Sequence, residues 1–208
     1  MNEITGFKEW VSGMYKTVVA DPPWDVKLGA NWKTAKTDKG RPQRFYPTMQ
    51  LEEIKSIHVP SDKKAHLYLW VVNQHMDWGY EVARAWGFSE FVQVLTWAKP
   101  GKGVGRFQSN TEHCLLFRKG GRAQNAFGMT GGTWFNWPRG RHSAKPNDFY
   151  SLVESTSPGP YLELFARQCR PNWKCLGNEV GGKEDIRKTL GTTQSVPNTN
   201  SDIQNHQT

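Results

Sequence analysis

Cysteine is scarce in this chain of 208 residues: Cys114, Cys169 and Cys175 are odd in number and fall at no paired zinc-ligand or disulfide-framework spacing. That excludes a disulfide scaffold and points to a reducing compartment, read here as the cytoplasm. No apolar run approaches the roughly 20 residues that cross a bilayer, and the first residues lack the charged and apolar regions of a signal peptide. Neither a membrane nor secretion is expected. The six histidines show no ligand spacing, so no metal is expected. Acidic side chains are the minority, 19 against 27 Lys and Arg, and the resulting charge of +8 favours a polyanionic partner such as nucleic acid.

Tryptophan, by contrast, is plentiful. Ten indoles exceed what a plain surface uses, and base stacking is one outlet for them, although Trp70, Trp86 and Trp97 sit in apolar runs and belong to the core. The length suits one α/β domain, set at residues 1–182, with a polar tail over 183–208 read as disordered. Strand-like runs fall at 17–20, 66–72, 91–98, 112–117 and 161–166, with 174–177 weaker; helices are expected over 74–86, stopped by Gly87, and over 147–155. Strands alternating with helices argue for an α/β sheet. Three long loops, 25–47, 99–111 and 119–142, are rich in Gly, basic and aromatic residues; in the first, Arg41 and Arg44 lie beside Phe45 and Tyr46, as a grip on phosphate and base requires.

The chemistry-bearing segment is Asp21-Pro22-Pro23-Trp24, directly after the apolar run Thr17-Val18-Val19-Ala20. A buried parallel strand delivers such a segment to the sheet edge where open α/β folds place their ligands. The prolines fix φ and remove two donors, so Asp21 and the Pro22 carbonyl are expected as acceptors with no internal partner, and Trp24 as a stacking wall. Two acceptors beside an aromatic face suit an aminated heteroaromatic ring, adenine among them. Binding both amine hydrogens localises the nitrogen lone pair, and a sulfonium methyl is the electrophile that needs no metal.

The motifs then follow in an order that resembles the MT-A70-like family of adenine methyltransferases. After Val-Val-Ala-Asp-Pro-Pro-Trp-Asp come Tyr46-Pro47-Thr48-Met49, Leu67-Tyr68-Leu69-Trp70-Val71-Val72-Asn73, Trp86-Gly87-Phe88 and Leu95-Thr96-Trp97-Ala98-Lys99-Pro100. Glu112-His113-Cys114-Leu115-Leu116, His142-Ser143-Ala144-Lys145-Pro146, Glu163-Leu164-Phe165-Ala166-Arg167 and Trp173-Lys174-Cys175-Leu176-Gly177-Asn178-Glu179 complete the set. The resemblance implies a Rossmann-like class I methyltransferase fold with permuted motif order, S-adenosylmethionine as donor, and transfer to the N-6 amine of adenine. It implies catalytic roles for Asp21, Pro22, Pro23 and Trp24. Donor contacts are implied at Asp21, Lys145, Glu163, Phe165, Arg167, Asn178 and Glu179, with Lys145 on the donor carboxylate and Glu163 on the ribose hydroxyls. Acceptor contacts are implied at Trp24, Tyr46 and Glu112, and the reading of the basic loop adds Arg41 and Arg44.

Two positions depart from the family. Cys169 and Arg170 stand where the messenger-RNA enzyme carries its His and Asn ribose contacts, so those contacts do not transfer. DNA is favoured over RNA because no zinc finger or other RNA-binding module accompanies the domain; the alternatives are an RNA methyltransferase or a non-catalytic nucleic-acid-binding subunit of the same fold. A second copy or a partner subunit is expected, since family members often pair.

Overall fold

The computed structural model describes residues 15–25, 48–101, 103, 106–121, 132–140, 144–180 and 186–191. In chain order these form β1 (Tyr15–Ala20), α1 (Leu51–Lys55), β2 (Ser61–Val71), a 3-10 turn (Asn73–His75), α2 (Met76–Ala85), β3 (Glu90–Ala98) and β4 (Thr111–Lys119). Then come β5 (Trp134–Phe135), α3 (Asn147–Thr156), β6 (Tyr161–Leu164), β7 (Trp173–Leu176) and α4 (Ile186–Leu190). The seven strands form one sheet in the order β5-β3-β4-β2-β1-β6-β7.

β1 sits inside that sheet, parallel to β2 on one side and to β6 on the other. Thr17, Val18, Val19 and Ala20 are therefore all buried, which is why the segment reads as a continuous apolar run rather than an alternating one. On one face Val18, Ala20, Leu67, Leu69 and Leu115 pack with Ile54 of α1 and Val82 and Ala83 of α2. On the other, Val19, Tyr68, Trp70, Trp97 and Cys114 pack with Phe149, Tyr150 and Val153 of α3. Helices thus cover both faces, and the expected α/β architecture, with the Asp21–Trp24 segment following β1 and ahead of β6 in the chain, is what the chain adopts.

β4 runs antiparallel to both β2 and β3, whereas β2, β1, β6 and β7 are mutually parallel and β3 is parallel to β5. The start of β4 consequently lies at the sheet edge where the parallel strands end. At that edge Lys145 bridges Glu112, entering β4, to Asp21, leaving β1, and Lys99, leaving β3, pairs with Glu112. Topology rather than sequence proximity assembles the site.

The helix expected over 74–86 begins as the 3-10 turn and continues as α2. Gly87 stops it at φ +82°, with the Gly87 amide donating to Arg84 O and the Phe88 amide to Ala83 O. β6 is shorter than the expected 161–166 because Phe165 turns to φ +61°, out of the strand region. α1 and β5 were not anticipated, being too short to show a period. α4 lies within the stretch read as a disordered tail: Ile186 is buried in the core and Arg187 pairs with Glu53 at 2.8 Å. Among the described residues no helix is long and apolar enough to cross a membrane.

Candidate active site

Asp21 does not stand alone. Lys145 Nζ donates to its Oδ2 at 2.7 Å and lies 3.2 Å from Glu112 Oε2, while Lys99 bonds the other oxygen of Glu112. Lys145 is only 9% exposed and sits 4.9 Å above the Trp70 ring, so its charge is largely removed from water. Burial alone would lower its pKa; Asp21 and Glu112 more than reverse that and raise it, keeping the amine protonated. Burial would likewise raise the Glu112 carboxyl, but Lys145 and Lys99 hold it down at about 2. Two carboxylates and two ammonium groups thus close a neutral cluster.

The turn that presents Asp21 is held from behind. The Trp24 amide donates to Pro22 O at 2.8 Å and the Met49 amide to Pro23 O at 2.9 Å. Trp24 Nε1 donates to Trp70 O at 2.9 Å, and His75, stacked on Trp78 at 4.0 Å, places Nε2 3.0 Å from Asp25 O. Gln50 Nε2 reaches Asp25 Oδ2 at 3.0 Å.

The neighbouring half is built on β6 and α3. Glu163 is 6% exposed, and its Oε1 accepts from the Tyr150 hydroxyl at 2.6 Å while Oε2 is buried without a partner. Burial raises both groups, Glu163 against the pull of the Tyr150 hydrogen bond and Tyr150 with the added push of the Glu163 charge. The Arg170 guanidinium stacks on Tyr150 with its carbon 3.4 Å from the ring centroid. Asp21, Lys145, Tyr150, Glu163, Phe165 and Arg167 line one cleft with it. The ends of β6 and β7 approach so closely that a Cβ on Gly177 would lie 2.3 Å from Ala166 O, so glycine is required there.

A permuted α/β sheet that carries Asp-Pro-Pro-Trp at the end of β1 and a buried glutamate in β6 agrees with what comparison with known proteins finds. The MT-A70 family model matches residues 15–179, from the first residue of β1 to Glu179. The chain belongs to the MT-A70 family. It is 30% identical over 185 residues to the N(6)-adenosine-methyltransferase MT-A70-like protein of Drosophila melanogaster, covering 83% of this chain and 28% of that protein. To the N(6)-adenosine-methyltransferase catalytic subunit METTL3 of Homo sapiens it is 29% identical over 185 residues, covering 83% and 29%. To the Type II methyltransferase M.MunI of Mycoplasma sp it is 29% identical over 184 residues, covering 80% and 78%. The chain thus spans under a third of the length of the first two relatives and most of the third.

Of the residues expected from the MT-A70 resemblance, Asp21, Lys145, Glu163, Phe165 and Arg167 meet at one cleft, and Glu112 joins them through Lys145. Arg167 pairs with Glu179 at 3.3 Å, and Asn178 is exposed on the turn after β7. Arg41, Arg44 and Tyr46 lie outside the described residues. Two expectations are corrected. Trp24 is 4% exposed and part of the core, where covering by His75 and Trp78 leaves its ring anchoring the turn rather than walling the site. The acceptors also have internal partners: Lys145 engages Asp21 Oδ2 and the Trp24 amide engages Pro22 O, leaving Asp21 its other carboxylate oxygen and Pro22 O its second lone pair rather than a bare row. Tyr150, Arg170, Lys99 and His75 went unanticipated, because their roles depend on contacts between distant segments.

An S-adenosylmethionine donor, implied by the MT-A70 family, fits this chemistry. A buried, unpartnered carboxylate oxygen asks for a hydroxyl or amine hydrogen from a ligand. Glu163 supplies it beside Asp21.

Proposed function

We propose that the chain is an S-adenosylmethionine-dependent methyltransferase acting on the N-6 amine of adenine in nucleic acid, with DNA favoured over RNA. The observation that carries this reading is the single cleft holding both Asp21, clamped by a buried lysine, and Glu163, whose Oε2 awaits a ligand hydrogen. S-adenosylmethionine, when bound, supplies a methyl activated by its sulfonium. Glu163, Phe165, Arg167, Asn178 and Glu179 are the residues that would hold the donor.

The remaining work falls to the chain. The free oxygen of Asp21 and the second lone pair of Pro22 O accept the two amine hydrogens, so the nitrogen lone pair is localised and aimed. Lys145 fixes the carboxylate rotamer, and that carboxylate is placed to take the proton the amine sheds after transfer. Glu112 steadies the same lysine and borders the seat of the adenine. An adenine reaches this edge by flipping from a duplex or by arriving single-stranded. Tyr46, Arg41 and Arg44, with net charge +8, provide the grip on the polymer. The presence of a Type II methyltransferase among the relatives supports the preference for DNA. The protein is assigned to the cytoplasm and to work with a second copy or a partner subunit.

The test is transfer of labelled methyl from S-adenosylmethionine to single-stranded DNA, duplex DNA and RNA, with the modified nucleoside identified by mass spectrometry. N6-methyldeoxyadenosine is expected. Label in RNA alone reverses the polymer, and nucleic-acid binding without label or donor binding makes the chain a non-catalytic subunit.

A further inference from the structure

The connection from β6 to β7, residues 165–172, presents successive side chains to two different cavities. Gln168 and Arg170 line the cleft shared with Asp21 and Glu163, whereas Cys169, between them, lines a separate cavity with Cys175 and Leu176 of β7, Val180 and Ile186. Phe165 and Asn172, non-glycine residues at φ +61° and +65°, turn the chain at either end of this connection. Two of the three cysteines therefore share one cavity wall. Their side chains are hydrogen-bond neighbours, and the Arg170 amide donates to the Cys175 sulfur.

The three thiols are free and differ sharply in access: Cys169 is exposed, Cys175 is half-buried and Cys114 is sealed in the core. Burial pushes the Cys175 thiol up to about 11, against the pull of the Arg170 amide. Cys175 thus waits as a thiol beside an exposed neighbour that meets an oxidant first. That is the arrangement of an attacking and a resolving cysteine.

We propose that Cys169 and Cys175 are a reversible redox pair, oxidised by hydrogen peroxide to an intramolecular disulfide that ties the β6–β7 connection to β7. The Cys169 thiolate attacks one peroxide oxygen; the S–O bond forms as the O–O bond breaks, and the departing hydroxide takes up a proton as water. The Cys175 sulfur, shedding its proton, then attacks the Cys169 sulfur, and the S–O bond breaks with loss of a second water. Two thiols give up two electrons and one peroxide becomes two waters. The bond is transient rather than a scaffold, as suits a reducing compartment, and it forms at the rim of the cleft because Gln168 and Arg170 flank Cys169. The proposal does not depend on the methyltransferase reading.

Dilute hydrogen peroxide on the native full chain tests it, with the remaining thiols alkylated after unfolding and tryptic peptides read by mass spectrometry. Trypsin cuts after Arg167, Lys174 and Lys183 but not between Arg170 and Pro171, so the two sulfurs fall in separate peptides, 168–174 and 175–183. A linked pair of these peptides is expected, lighter than their sum by two hydrogens, with Cys114 still alkylated and both thiols recovered after dithiothreitol. Cys175→Ser should leave Cys169 as a sulfenic acid that dimedone traps, and Cys169→Ser should leave Cys175 unoxidised at the same exposure. Thiols that both survive, a Cys169 that proceeds to sulfinic acid without linking, or a bond between Cys169 residues of two molecules overturns the proposal. So does oxidation of Cys114 as ready as that of Cys169, or of Cys175 undiminished in Cys169→Ser, either of which would remove Cys169 as the point of entry.

Discussion

The two halves of the cleft solve the burial of charge in opposite ways. Around Asp21 every charged group has an opposite neighbour: Lys145 bridges Asp21 and Glu112, and Lys99 closes the cluster. Around Glu163 the polar groups are equally sheltered, yet an acceptor on Glu163 and a donor on Arg170 are left over. The first arrangement is complete without a ligand and holds a carboxylate in a fixed direction, as positioning an amine requires. The second becomes complete only when something binds. Catalytic aim and ligand capture are thus divided between β1 and β6, two strands paired in parallel with Val19 opposite Glu163.

The largest effect that can break this contrast is on stability. Lys145→Met leaves two carboxylates without their shared cation, and urea denaturation should show a loss of about 3–5 kcal/mol. Adding Glu112→Gln should restore part of it. If the single variant is as stable as the parent, the Asp21 half is not self-contained. Glu163→Gln sharpens the other side: it removes a buried carboxylate with an unmet oxygen, so stability should stay within about 1 kcal/mol of the parent or rise. The same change should weaken S-adenosylhomocysteine by at least about tenfold. A stability loss as large as that of Lys145→Met would erase the difference between the halves.

A smaller effect is expected with pH. The Glu112 carboxyl is depressed from the ordinary carboxylate range to about 2, so its contribution is fully present above its unfolded value and fades as pH falls toward about 2. Urea midpoints measured from pH 6 down to 3 should therefore drop more steeply for the parent than for Glu112→Gln. Parallel curves would mean that Glu112 is not held by the two lysines.

Local signals in the sequence reached far into this site. The run Val18-Val19-Ala20 is apolar because β1 is covered on both faces, and that alone locates Asp21 at a sheet edge. Gly87 was legible as a helix stop because only its own φ mattered. What stayed hidden depends on pairing at a distance. The Asp21 and Lys145 contact joins residues 124 positions apart, and nothing near either one announces the other. Tyr150 and Arg170 meet only once α3 packs against β6, and the direction of the Trp24 ring depends on His75 and Trp78 in a later segment. A pair of prolines predicts a rigid turn; it does not say which carbonyl the next amide will take.

The measurement that bears most directly on the division of labour is methyl transfer by Asp21→Ala alongside its nucleic-acid affinity. With the carboxylate gone but the basic surface intact, turnover should fall by at least about a hundredfold, the lower range for loss of a positioned catalytic group, while the nucleic-acid Kd stays within about threefold. Turnover equal to that of the parent would contradict the assignment of Asp21 as the group that aims the amine.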